Sequence, residues 1–419
     1  MSKFLISCLL FLLINLIAAR ELAHLNLVEW LNDLQQERIS QEPPKHTWTE
    51  WALLDFQKHR DNPASVVFLG SSLVLYPLDL VDANFLNRFV DGATHHTSLV
   101  FDHLINSNKE SATSSFNFAL PGAMPSDIYL IANLLLQGKN HPDLIIYGVG
   151  PRDFLDNVLS TPASTDPYRC LSKILWKTNN PKTVFSYIGQ DWQSKFNYFL
   201  MQHVPFYGQR EDIAQNLTKQ FLPIASSAIA AIAKLTGISE NNLPARISME
   251  RLHKVLPNYD PMAIDLNQCL FSPHETVDPN RFAKDLNEYR KRYRTVNWDI
   301  YTCQTGFFVD FLKFARQHNI AVLVVAMPIT STNRQMLPDY IFTAYKQNLR
   351  VLSRPYGAHF IDLDSSGCFN DQDFTDTVHL NTAGGVKCLK LISTYVREHQ
   401  LIEQMKTGNK QVAETGIKI

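Results

Sequence analysis

Five short apolar runs mark the chain at residues 66–69, 116–120, 144–149, 321–327 and 359–363, each ending at small or turn-forming residues. Continuous apolar runs of this length, without polar alternation, predict parallel strands buried on both faces. Helical periodicity fits residues 127–136, 305–317, 340–353 and 383–398. Strands alternating with helices predict an α/β fold, a three-layer doubly wound parallel sheet of about five strands that presents its functional groups at the strands' carboxyl ends. From about 155 to 296 the pattern lapses into mixed helical and irregular sequence, which predicts a largely helical insertion between the third and fourth strands. Its small-residue run, 225–233, is interrupted by Ser226 and Ser227 and followed by Lys234, too short a stretch to span a bilayer.

The first twenty residues form a separate unit. Lys3 precedes an apolar run, 4–19, in which Ser7 and Asn15 are the only clearly polar residues. At 1.5 Å per residue a helix of this run is about 24 Å long, short of the roughly 30 Å hydrocarbon core, so it reads as a tight signal anchor or a cleaved signal peptide. Ala19 suits the last position before a cleavage site, but Ile17 is large for the small-residue position ahead of it, which favours the anchor. Either reading places everything after Arg20 outside the cytoplasm. Residues 21–62, with Trp30, Trp48 and Trp51 broken by Pro43-Pro44, read as a membrane-proximal helical stalk. Residues 63–400 then form the main domain with its insertion, and 401–419 a polar tail.

Charge narrows the function classes. Lys plus Arg number 39 against 40 Asp plus Glu, so no global field is available to hold a nucleic acid. Six cysteines without a CxxC pair supply neither a disulfide scaffold nor a zinc site, and no metal or other cofactor is expected.

Two motifs carry chemistry. The first apolar run leads into Gly70-Ser71-Ser72, which sets two hydroxyls at the carboxyl edge of the sheet. Near the end of the chain, Asp376-Thr377-Val378-His379 precedes the last helical segment, and a spacing of three lets a loop turn Asp376 onto one ring nitrogen of His379 while the other faces a serine. A serine hydroxyl needs such an oriented base at neutral pH. Either motif alone has a plainer explanation, a turn in one case and a helix cap in the other.

In this order and strand context the pair resembles the SGNH (GDSL-like) hydrolase superfamily, in which a Gly-Asp-Ser opens the domain and an Asp-x-x-His closes it. Ser71 stands where that family has Asp. The resemblance implies Ser72 as nucleophile, His379 as base and Asp376 as its orienting partner. Asn117-Phe118-Ala119-Leu120-Pro121-Gly122 resembles the block whose main-chain N–H binds the oxyanion, a part for Ala119 or Gly122 beside Ser72. The family's Gly-x-Asn-Asp block reads here Gly148-Val149-Gly150-Pro151-Arg152-Asp153. Its asparagine is missing, and Arg152 either supplies the donor or forms a salt bridge with Asp153 or Asp156. Gly148 and Gly150 make a poor dinucleotide loop, with Pro151 next and no third glycine opening a helix.

The Gly-Ser-Ser form and the N-terminal membrane segment are similar to those of D-alanyl transfer and alginate O-acetylation proteins. That likeness implies acyl transfer, with acetyl as the expected group, to an extracytoplasmic polysaccharide through a seryl ester, beside a membrane-bound O-acyltransferase. An SGNH esterase and a non-catalytic polysaccharide-binding partner are the alternatives.

Other clusters have plainer explanations. Asp91 and His95 could face a metal from one helix, although ordinary surface histidines fit the same pattern. His203, Tyr207 and Arg210 with Trp192, Phe196 and Tyr198 could line a carbohydrate groove or pack a core. Asn216-Leu217-Thr218 is a glycosylation sequon, relevant only in a eukaryotic secretory route. Cys368 and Cys388 flank the Asp376/His379 loop and could form a disulfide in an oxidising compartment.

Overall fold

The structure is a computed structural model that describes residues 47–156, 162–171 and 270–402, apart from 60–61, 108–112, 139–140 and 169, with a few positions between 187 and 200. The chain divides into two units, Asp33–Asn179 with Met262–Ile419, and Met1–Asn32 with Asn180–Pro261. The first unit is an α/β fold around a five-stranded parallel sheet in the order β3-β1-β4-β6-β7. Its strands are β1 (Val66–Gly70), β3 (Ser115–Ala119), β4 (Leu144–Val149), β6 (Ala321–Ala326) and β7 (His359–Asp362). The four inner and β3-side strands are almost wholly buried and β7 is half-buried at its edge of the sheet.

The helices are α1 (Trp48–Lys58), α2 (Ser72–Leu86), α3 (Leu99–Asn106), α4 (Pro125–Leu135), α5 (Pro151–Leu155), α6 (Pro279–Arg292), α7 (Trp298–Gln317), α8 (Ser331–Arg334), α9 (Asp339–Ser353) and α10 (Thr382–Glu398). Side chains alternate across a strand, so neighbouring residues report on opposite faces. Phe68 of β1 meets Phe101 of α3, ring centroids 4.8 Å apart, and lies in register with Ile146 of β4. The next residue, Tyr147, packs on Phe308 and Phe311 of α7. Helices therefore cover both faces, with α2, α3 and α10 packed together on one and α4, α5 and α7 on the other. Residues between Val149 and Ala321 separate two adjacent strands, β4 and β6.

A second sheet was not apparent in the sequence. The two-residue strands β2 (Val90–Asp91) and β5 (Leu270–Phe271) pair antiparallel. This pairing seats the chain entering α6 beside the first turns of α2, with Phe271 edge-on to Tyr76 at 4.9 Å.

The expected stalk differs from what the structure shows at its C-terminal end. Helix α1, capped by the Thr47 and Glu50 capping box, buries Trp51, Ala52, Leu53 and Phe56, and Phe56 packs on Phe116 and Phe118 of β3 at 5.1 and 5.3 Å. An apolar stripe on this helix docks it on the sheet, so it belongs to the domain. The apolar N-terminal segment, the first part of the stalk, the 225–233 run, the sequon and the tail from 403 onward lie outside the described residues, whereas Leu401 and Ile402, expected to open the polar tail, are buried apolar residues of the domain. Among the described residues no helix is long and apolar enough to cross a membrane.

The expected Cys368–Cys388 disulfide is absent, and both are free thiols. Cys388 is buried on the inner side of α10, lining the same interior as Phe68 and Ile146, and burial pushes its thiol up to about 12. Cys368 is exposed in the turn after β7.

If α1 is part of the domain core, Phe56→Ala costs about 3–5 kcal/mol of unfolding free energy. A helix standing clear of the domain would lose close to nothing, and urea denaturation of the two chains separates these outcomes.

Candidate active site

Ser72 sits at the carboxyl end of β1, the strand between β3 and β4, where the chain turns from strand into α2. Ser71 is the N-cap in extended conformation and Ser72 the first helical residue, so its N–H has no partner within the helix. The turn is tight. Gly70 has φ +153°, and a Cβ there would lie 2.5 Å from Val74 and 2.6 Å from the Gly148 carbonyl. At Gly148 and Gly150 a Cβ would meet Val74 and Leu73 at 2.3 and 2.4 Å. The glycines that suggested a nucleotide loop thus let the first turn of α2 press onto the strand ends.

The other half of the site lies between β7 and α10. Asp376 caps its own loop: its Oδ1 accepts from the main-chain N–H groups of Val378 and His379 at 3.1 and 2.8 Å. The N-cap of α10 is instead Asn381, which accepts from Gly384 N–H and donates to the Gln372 and Phe374 carbonyls. A Cβ on Gly384 would meet the Asp373 carbonyl at 2.1 Å, and one on Gly385 would meet Val81 and Pro77 of α2 at 2.8 and 3.1 Å. This close approach of α10 to α2 brings the loop onto Ser72.

The predicted trio meets in hydrogen-bonding geometry. Ser72 Oγ–H donates to His379 Nε2 at 2.8 Å, and His379 Nδ1–H donates to Asp376 at 2.7 Å (Oδ2) and 2.9 Å (Oδ1). Asp376 is 1% exposed, while Ser72 and His379 are half-buried. Burial opposes charge on Asp376, yet His379 and the main-chain N–H groups hold its carboxyl below the ordinary carboxylate range.

The oxyanion candidates follow neighbouring strands, because Gly70 is in register with both Ala119 and Gly148. Of the two main-chain candidates, Ala119 donates its N–H to Asn117 Oδ1 at 2.9 Å. Gly122 occupies the third position of a turn closed by Ala123 N–H to Leu120 C=O, with φ +79° after Pro121, a type II arrangement that requires glycine there. Arg152 lies over it, since a Cβ on Gly122 would be 3.4 Å from Arg152 Nη2. The same guanidinium grips Asp156 through Nε at 2.9 Å and Nη2 at 2.8 Å, with Asp153 at 3.6 Å. Arg152 is therefore a salt-bridge residue whose position beside Gly122 also leaves it near the candidate hole.

Two residues at the site had no counterpart in the sequence reading. Tyr76, one helical turn beyond Ser72, stacks on the His379 ring with centroids 4.0 Å apart and planes 25° from parallel. Its spacing of four from the serine was a usable signal. Arg281 of α6 reaches Asp376 Oδ2 through Nε at 3.1 Å, and nothing in local sequence announces that contact.

The remaining candidates are placed elsewhere. His95 pairs with Asp82 at 2.8 Å and not with Asp91, whose carboxylate instead accepts from Ala93 N–H and Thr94 Oγ–H. No group of residues suited to a metal occurs among the described residues. Trp192 and Phe196 are 70% and 51% exposed, and Tyr198, His203, Tyr207 and Arg210 lie outside the described residues.

Fold and site together define an α/β protein with a serine, a histidine and an aspartate in line at the carboxyl edge of a parallel sheet. The chain belongs to the family described as protein of unknown function (DUF1574), whose profile matches residues 94–394. That span includes Arg152, Arg281, Asp376 and His379, and it begins after Ser72. No curated protein matches the chain.

Buried carboxyls beside the site give it a pH signature. Burial pushes Asp127 up to about 7 against its bonds to Thr165 and the Met124 N–H, and pushes Asp153 up to about 6 against Arg152 and the Gly150 N–H. A carboxyl raised in the folded state contributes stability that is complete below its ordinary value near 4 and is lost as pH rises through the folded value. The contribution of Asp127 thus disappears between about pH 4 and 7. Asp127→Asn, compared with the parent by urea midpoints across that range, has the flatter profile; parallel profiles refute the assignment.

Proposed function

We propose that the protein is a serine acyl enzyme of SGNH type, carrying an acyl group on Ser72. The observation that carries this reading is the continuous Ser72–His379–Asp376 hydrogen-bond chain, 2.8 Å and then 2.7 Å, on a serine at the start of a helix. His379 Nε2 takes the Ser72 proton as Oγ attacks an acyl carbonyl. The Ser72 and Gly122 N–H groups face the developing oxyanion, with the Arg152 charge close by. Collapse of the tetrahedral adduct breaks the bond to the leaving alcohol, which receives the proton from His379, and Ser72 keeps the acyl group as an ester. An incoming hydroxyl then gives its proton to His379 and removes the acyl group by the reverse path.

The resemblance stated above supports acetyl as the acyl group, an extracytoplasmic polysaccharide as acceptor and a membrane-bound O-acyltransferase as partner. The apolar segment ahead of Arg20 supports a periplasmic domain held by a single anchor. Water in place of the sugar hydroxyl makes the same machinery an esterase.

Intact mass after incubation with a fluorophosphonate or an activated acetyl ester tests the reading. The parent chain gains one adduct and Ser72→Ala gains none, while ester turnover falls by about 10³-fold or more in Ser72→Ala and His379→Ala. A folded parent chain that acquires no adduct sinks the proposal.

A further inference from the structure

The segment from Glu275 through α6 carries charged groups that the acyl chemistry above leaves without a task. Along α6, Arg281, Asp285, Tyr289 and Arg292 follow one another at spacings of four, four and three, which places them on one stripe of the helix. Arg281 holds Asp376, Asp285 contacts the Thr377 hydroxyl, and Arg292 contacts Asp156, the carboxylate that also holds Arg152. Tyr289, the one buried residue of this helix, lies between these contacts along the stripe. The helix therefore touches both the loop that carries His379 and the corner that carries Arg152.

Arg281 is engaged on three sides. Its Nε shares Asp376 Oδ2 with the His379 ring, its Nη1 pairs with Glu275 Oε1 at 2.9 Å, and its guanidinium lies 4.7 Å from the centroid of the Tyr76 ring. Glu275 is anchored in turn by Thr375 Oγ–H at 2.9 Å. Tyr76 is thus in contact with both Arg281 and the imidazole of His379.

We infer that Arg281 is a positioning residue for the Asp376–His379 pair, acting through the shared carboxylate oxygen and through Tyr76. The inference rests on the acyl reading of Ser72. A planar fork suits the task, because its separate N–H groups meet the two carboxylates in fixed directions while its flat face lies against the ring. Its charge has a further consequence. A cation near the imidazole opposes a second positive charge there, and a nearby anion favours one. The groups facing the Asp376–His379 pair are Arg281, Asp285 and Tyr289 from α6, Glu275 from the segment before it, and Ser72 and Tyr76 from α2. Removing Arg281's charge and removing Glu275's charge therefore push the pH dependence in opposite directions, a result that a merely structural brace does not produce.

The test is the second-order rate of Ser72 labelling by a fluorophosphonate, measured against pH on the full chain, for the parent, Arg281→Gln, Arg281→Lys and Glu275→Gln, with thermal unfolding of each. Arg281→Gln labels about tenfold more slowly at neutral pH, with the acid limb of its profile displaced upward by about half a pH unit. Glu275→Gln displaces that limb downward. Arg281→Lys keeps the limb in place because the charge remains, and labels more slowly because the fork is lost. Folded Arg281→Gln and Glu275→Gln chains with the parent's limb position and rate overturn the inference alone. If Arg281→Gln does not fold, a folded Arg281→Lys that labels at the parent's rate overturns it. A parent chain that does not label at Ser72 overturns the acyl reading, and this inference with it.

Discussion

The Asp376 carboxylate is the point on which the candidate site's geometry depends. It is almost fully buried, and charge in such a position survives only if donors replace the lost water. Two main-chain N–H groups, the His379 ring and the Arg281 guanidinium converge on its two oxygens. Neighbouring buried acids show the alternative. Asp127 receives one main-chain N–H and one hydroxyl, and burial prevails. Asp79 has no cation or main-chain N–H on its carboxylate among the described residues, and burial, with Asp82 and Asp91 nearby, raises it well above its ordinary range. What separates Asp376 from these is the number and charge of its donors.

The same constraint explains why the loop around Asp376 is held from several directions. Thr377 C=O accepts from the Thr330 N–H and hydroxyl beside α8, its own hydroxyl accepts from Asn333, and Thr375 C=O accepts from Asp278 N–H ahead of α6. Asn381 then fixes where α10 begins. Each bond removes a freedom that would let His379 swing away from Ser72. The serine needs fewer such ties, because the strand end, three close-packed glycines and the first turn of α2 already fix it.

The sheet was legible because a strand buried on both faces must be apolar throughout, and runs such as 144–149 satisfy that locally. The Ser72 and Asp376/His379 motifs were legible because their chemistry is written in spacings of a few residues. Helix α2 is harder to read: 11 of its 15 residues, the unbroken run from Leu73 to Ala83, are buried, so no polar face marks a helical period, and Pro77 interrupts it. Helix α6 falls within the stretch that reads as insertion because it is strongly polar, with Tyr289 its one buried side chain. Its value to the site lies in pairings such as Arg281 with Asp376, separated by 95 positions in the chain, and no local pattern encodes a partner at that distance. The docking of α1 is hidden from the sequence for a related reason. An amphipathic helix announces that it covers something without saying what, and here the cover is over β3.

On the acyl reading, the surroundings of His379 also limit how an acceptor can arrive. The imidazole is 13% exposed, Nδ1 is committed to Asp376 and one ring face is covered by Tyr76. The approach left to an incoming hydroxyl is toward the Nε2 edge, from the side away from Tyr76 and past Ser72. A sugar hydroxyl and a water molecule compete for that one approach, and the balance between transfer and hydrolysis depends on what excludes water there. The triad's own geometry is the same in either case. Discrimination must therefore come from residues that shape the approach, and α6, which touches both the base loop and the Arg152 corner, is the described element best placed to link substrate entry to the position of the base.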